Sequence, residues 1–202
     1  MRRLLTGITL TTAVVVAVPA AAASAAPASA SRDSAVRASA SLRGWARLDT
    51  HGPVADPNET LTMSVDAHAV SRPGDPQADP AKSWGHATVI HAFRENGKWK
   101  GTVRVEVSVD CLTRKGGSDA VLTGTAESVT YTVPPGGTRP HFPENWHPEV
   151  AFGFHRDDEG RRRIAWSGIP ENQEAPPVAT RCTTPAGIDP DLYLVRGGFT
   201  LK

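Results

Sequence analysis

His86 lies in a strand-like run from Trp84 to Arg94. Hairpin pairing with the next run sets it opposite Val107, on the predicted apolar face. A buried imidazole needs a hydrogen-bond partner or lines a pocket. The plain account is a satisfied structural histidine; the sharper one is an acid–base group in a cavity. His91 has the opposite parity, so the two histidines make a poor metal pair.

A second concentration of reactive types lies between Arg139 and Glu149: His141, Glu144, His147 and Glu149, with Phe142 and Trp146 among them. Histidine and carboxylate suit zinc. The spacing matches no helical His-Glu-x-x-His pattern, and Pro140, Pro143 and Pro148 forbid a helix. A solvated loop explains the segment better, and no metal or cofactor is expected. If the protein binds through a loop, the expected residues are His141, Phe142, Trp146 and His147, which offer aromatic surface with polar tips.

The carboxylates give weaker signals. Glu106 and Asp110 share one parity, as a glycosidase pair would, but no sugar-stacking aromatics alternate with them. An exposed polar face with Arg104 nearby is the simpler reading. Asp157, Asp158 and Glu159 lack the twelve-residue ligand pattern of a calcium loop and read as a charged hairpin tip. Arg161 and Arg163 share a face and are partly neutralised by that tip. They suit phosphate or glycan less well than a charged edge strand that repels other strands. There is no Gly-x-Ser-x-Gly elbow and no phosphate-binding glycine loop.

The two cysteines, Cys111 and Cys182, are expected to pair. The stretch between them is long enough for a bridge to add about 4 kcal/mol. A bonded pair leaves no cysteine nucleophile.

These residues must be held by strands. Leu61, Met63, Val65 and Ala67 alternate with Thr62, Ser64, Asp66 and His68. Trp84–Arg94 and Trp99–Cys111 flank Asn96-Gly97, a type I′ hairpin signal. A plain two-residue turn sets Ile90 against Val103, Thr88 against Val105, His86 against Val107 and Trp84 against Val109. It puts Val103, Val105, Val107, Val109 and Cys111 on one buried face. Trp84, Trp99 and Trp166 are expected in the core. A strand over about 119–133 is expected to bulge or meet another backbone closely at Gly124. Val150–Arg156 and Arg162–Ser167 form a second hairpin. A three-residue loop of Asp158, Glu159 and Gly160 sets Phe154 opposite Ile164 and Phe152 opposite Trp166. The last strand, Leu192–Leu201, is expected to shift register near Gly197-Gly198. No long amphipathic helix appears. The chain is therefore all-β, an antiparallel β-sandwich or small β-barrel with one disulfide.

The start of the chain sets the compartment. Arg2 and Arg3, an uncharged run from Leu4 to Val18, and small residues ending in Ala23-Ser24-Ala25 read as a signal peptide over residues 1–25. Residues 26–41 read as a flexible Ala/Ser-rich leader, and 42–202 as a single β domain. The chain has 22 basic and 21 acidic side chains. This balance argues against nucleic acid as a partner, and no transmembrane anchor is expected after cleavage.

Several segments carry a family resemblance: Gly85-His86-Ala87, Asn96-Gly97-Lys98-Trp99, Val109-Asp110-Cys111-Leu112, Arg114-Lys115-Gly116-Gly117, Trp146-His147-Pro148-Glu149-Val150, Gly160-Arg161-Arg162-Arg163 and Gly197-Gly198-Phe199-Thr200-Leu201. Together they resemble a group of exported proteins of Streptomyces-type actinobacteria, some labelled repetin. The resemblance implies export and one compact β domain, and brings no catalytic motif. The expected function is a non-enzymatic binding or structural role outside the cell, toward a cell-envelope component or a small apolar ligand. The alternative is a small secreted barrel enzyme, a hydrolase or cyclase, with His86 in a cavity.

Overall fold

The computed structural model describes residues 38–50, 52–72, 80–139, 146–167, 179, 181–183 and 192–202. The expected signal peptide and most of the expected leader lie outside these residues, as do His141 and Phe142.

Among the described residues, eight antiparallel strands form a closed barrel in sequence order. They are β1 (Ala38–Asp49), β2 (Glu59–Ser71), β3 (Lys82–Glu95), β4 (Lys98–Arg114), β5 (Ala120–Thr132), β6 (Glu149–Arg156), β7 (Arg162–Trp166) and β8 (Leu192–Leu201). The barrel, not the sandwich, is the form the β domain takes. β1 begins ahead of the expected start near Leu42. It pairs with β2 on one side and β8 on the other, so it is the strand that closes the ring. Closure leaves no edge. The expected charged edge strand is thereby overturned, because β7 pairs with β6 and with β8.

Period-two burial builds the interior. Leu61, Met63, Val65, Ala67 and Ala69 of β2 are buried, as the sequence pattern predicts. Val105, Val107 and Val109 of β4 join them with Leu42, Leu122, Phe152 and Ile164.

The β3–β4 hairpin corrects the expected register. Asn96 and Gly97 both take positive φ, 51° and 74°, as a type I′ turn requires. Near the turn Glu95 faces Lys98 and Arg94 faces Trp99, as the plain hairpin predicts. The register then shifts after Phe93, which pairs with Gly101 and leaves Lys100 as an extra residue. One extra residue moves every later β3 side chain to the other face. His86 therefore stands opposite Ser108, and Ala87 opposite Val107. His86 is exposed, not buried among valines. Trp84 and Trp99, expected in the core, are exposed as well.

A second irregularity moves Cys111. The register of β4 against β5 shifts between Val109 and Cys111, so Asp110 is the extra residue. Val109 and Leu112 belong to the core; Cys111 is buried but outside that cluster. It is bonded to Cys182, with 5.3 Å between Cα atoms. An outward row across β4–β7, including Thr113, Val121, Thr123, Ala151 and Ala165, is buried too. Around the disulfide, the Cys182 amide donates to the Thr123 hydroxyl at 3.1 Å. That hydroxyl donates to Asp110 Oδ1 at 2.6 Å.

Other expectations hold. Phe154 faces Ile164, Phe152 faces Trp166, and Gly160 has a φ of 77°. The Gly160 amide donates to the Asp157 carbonyl at 2.8 Å, closing the three-residue tip. At Gly124 a Cβ would lie 2.1 Å from the Ser108 carbonyl oxygen, which confirms the close backbone approach. In β8 the shift falls at Val195, just ahead of the expected glycine pair, since Arg47 faces Arg196 and Leu48 faces Leu194.

Candidate functional site

Three strands present a small grid of side chains on the outside of the barrel. Its rows run across β1, β2 and β3: Ser41, His68 and Trp84; then Arg43, Asp66 and His86; then Trp45, Ser64 and Thr88. Alternation along each strand puts all nine on the same face. Trp45 and Trp84 occupy opposite corners, 46% and 43% exposed. Four residues of rise and two strand spacings separate them by about 16 Å.

Polar contacts fix the centre of the grid. Arg43 Nε donates to Asp66 Oδ1 at 2.8 Å. His68 Nε2 lies 2.9 Å from the same oxygen and 3.0 Å from Arg43 Nη2. That nitrogen does one job at a time: carrying a proton it donates to Asp66, without one it accepts from Arg43. Burial works to raise the Asp66 pKa, but Arg43 and His68 together outweigh it and hold the carboxyl below its ordinary value. The His68 ring stacks on Trp84 with centroids 5.4 Å apart and planes 20° apart, and Lys82 Nζ lies 5.7 Å from the Trp84 centroid. The imidazole and the ammonium thus hold the indole in place while it stays 43% exposed.

On the neighbouring strand, Thr88 donates to Glu106 Oε2 at 2.7 Å, and Arg104 pairs with the same carboxylate. Thr88's hydrogen bond, ahead of Arg104 and His86, holds the Glu106 pKa below its ordinary value against burial. Glu106 is a held structural carboxylate, and Asp110 is committed to Thr123. The two do not form an acid–base pair.

A groove of about 610 Å³ adjoins the grid at the Trp84 end. Ser41, Arg43, His68 and Trp84 line it, joined by Thr200 and Lys202. His86 lines neither this groove nor the cavity at the barrel mouth beside Phe154 and Leu194. The β3 register turns His86 outward, which corrects the inward-facing position expected of it.

The loop residues fare differently. Of the four expected binders, only Trp146 and His147 fall among the described residues. His147 Nδ1 donates to the Ala126 carbonyl at 3.0 Å, and the Ala126 amide donates to Pro148 O at 2.9 Å. His147 thus ties the entry of β6 to a bulge in β5, which is a structural task. Among the described residues, no group of three or more His, Cys, Asp or Glu is placed to hold a metal ion. No helix among them is long and apolar enough to cross a membrane.

Sequence reasoning missed Arg43, Trp45, Asp66 and His68 as a set. The alternation of β2 was visible in the sequence, but β1 was not read as a strand, and the register that aligns three strands has no local signal. Comparison of this chain with protein-family models, curated proteins and solved structures gave no match.

Proposed function

We propose that this protein is a non-enzymatic binding domain acting outside the cytoplasm, and that the outer face of β1–β3 takes a neutral saccharide chain of the cell envelope. The observation that carries the reading is the diagonal pair of exposed indoles, Trp45 and Trp84, with the Arg43–Asp66–His68 network between them. A pyranose ring has an apolar C–H face and a polar rim. Exposed indole faces suit the first, and preset donors and acceptors suit the second. Charge on the grid nearly cancels, which suits an uncharged partner. The basic, apolar and small-residue start of the sequence supports export, and so does the disulfide, which persists in oxidising compartments.

The test is retention of the purified protein on insoluble cell-wall polysaccharide, with calorimetric titration of soluble oligosaccharides. Trp84→Ala and Trp45→Ala are expected to weaken binding at least tenfold. Trp99→Ala, a comparably exposed indole at the far hairpin, is expected to change nothing. Loss of binding in all three variants alike, or no retention of the parent protein, refutes the reading.

A further inference from the structure

At the barrel mouth, on the paired strands β6 and β7, two arginines stand opposite each other. Among the described residues, β7 and β8 are paired in register at Arg163–Tyr193 and Ile164–Leu192. Beyond Arg163 the two strands part, and a cavity of about 210 Å³ opens there. Its apolar wall includes Leu42, Phe154, Ile164, Leu194 and Phe199. Phe154 and Phe199 meet edge to face with centroids 5.2 Å apart. Arg156 and Arg162 also line it.

Those two arginines are register partners on β6 and β7. Arg156 has the parity of buried Phe154, and Arg162 that of buried Ile164, so both belong to the inner face. Like charges directly opposite each other destabilise a sheet. The usual remedy, a carboxylate, goes elsewhere. Asp157 pairs with Arg161 at 2.7 Å and lies 3.9 Å from Arg163, while Glu159 pairs with Arg161 at 2.7 Å. The acidic tip thus serves the outward arginines. Arg156 donates to the Gly160 carbonyl at 2.9 Å, and Arg162 donates to the Phe199 carbonyl. Among the described residues neither has a carboxylate partner. Each guanidinium carries five N–H donors, so donors remain after these single contacts.

We propose that the barrel mouth is a binding site for an aliphatic carboxylate, with the carboxylate between Arg156 and Arg162 and the tail against Phe154, Leu194 and Phe199. A guanidinium fork matches a carboxylate in geometry and charge. An anion between the two arginines turns a repulsion into two attractions, and the apolar wall gives the tail a place out of water. The barrel centre is filled by Phe152, Leu122 and Met63. The tail is therefore confined to the mouth, which selects short and medium chains. This site is independent of the saccharide face: it lies at a different place and rests on different residues.

The test is calorimetric titration of the purified protein with decanoate, decanol and acetate. Decanoate is expected to bind at least tenfold more tightly than decanol, which has the tail without the charge. Acetate, which has the charge without the tail, is expected to show no measurable binding. Arg156→Gln and Arg162→Gln are each expected to weaken decanoate at least tenfold and leave decanol unchanged. Leu194→Trp, which fills the mouth, is expected to abolish both. Because Arg162 also holds the Phe199 carbonyl, Arg156→Gln is the variant that decides if Arg162→Gln fails to fold. Without ligand, Arg156→Gln is expected to be at least as stable as the parent, since it relieves the repulsion. Equal binding of decanoate and decanol, no binding of decanoate, or full decanoate affinity in Arg156→Gln overturns the proposal.

Discussion

His86 and Asp66 are direct partners across β3 and β2, and both stand on the outside of the barrel. A single extra residue, Lys100, separates this arrangement from one in which His86 meets Val107 in the interior. A residue that reads as a buried catalytic candidate is thus a member of an open polar face.

The pairing makes a direct stability prediction. Replacing His86 by alanine removes an exposed side chain and is expected to change unfolding free energy by no more than about 0.5 kcal/mol. Replacing Met63 by alanine opens the packed interior and is expected to cost about 2–5 kcal/mol. Denaturant unfolding of both variants checks this. Comparable losses would mean that His86 is inside.

The disulfide sits outside the core cluster, so its effect is chiefly on the unfolded chain. Cutting it releases a 71-residue separation, expected to cost about 4 kcal/mol. Urea unfolding of the parent and of Cys111→Ala/Cys182→Ala, each extrapolated with its own midpoint and slope, measures it. The barrel strands themselves should stay formed in the reduced protein below its transition, which circular dichroism reports.

His155 predicts the pH dependence of stability. Burial lowers its pKa from the ordinary 6.5, with Arg163 acting the same way and Asp119 and Asp157 opposing. Its Nε2 is buried and has no hydrogen-bond partner among the described residues. The unfolded chain therefore binds a proton more readily than the folded one, and stability falls as pH drops below 6.5 toward the lower folded value. Asp66, Asp157 and Glu106 are held below their ordinary 3.8, 3.8 and 4.5, so they stay ionised through this window and lose their contribution only in stronger acid. Melting temperatures at about pH 8 and about pH 5.5 should differ less in His155→Gln than in the parent. An unchanged difference would mean that other groups set the dependence.

Much of the barrel was legible from local pattern. The alternation of β2, the Asn96-Gly97 turn, the tip at Gly160 and the Phe154–Ile164 pairing each depend on residues near one another in the chain. Local sterics and period-two burial are enough to fix them. The pairing of Cys111 with Cys182 was legible from the cysteine count together with the expected export.

Closure and facing were decided only in three dimensions. β1 meets β8 across nearly the whole chain, and no short-range signal states that partnership. The bulges at Lys100 and Asp110 add one residue each, and side-chain direction in a strand has period two, so each reverses the facing of the residues beyond it. A sequence shows alternation but not its absolute sign. The interior chose the sign by demanding that the valines of β4 and the odd-numbered residues of β3 share one side, which sent His86, Trp84 and the arginine–aspartate–histidine network to the other.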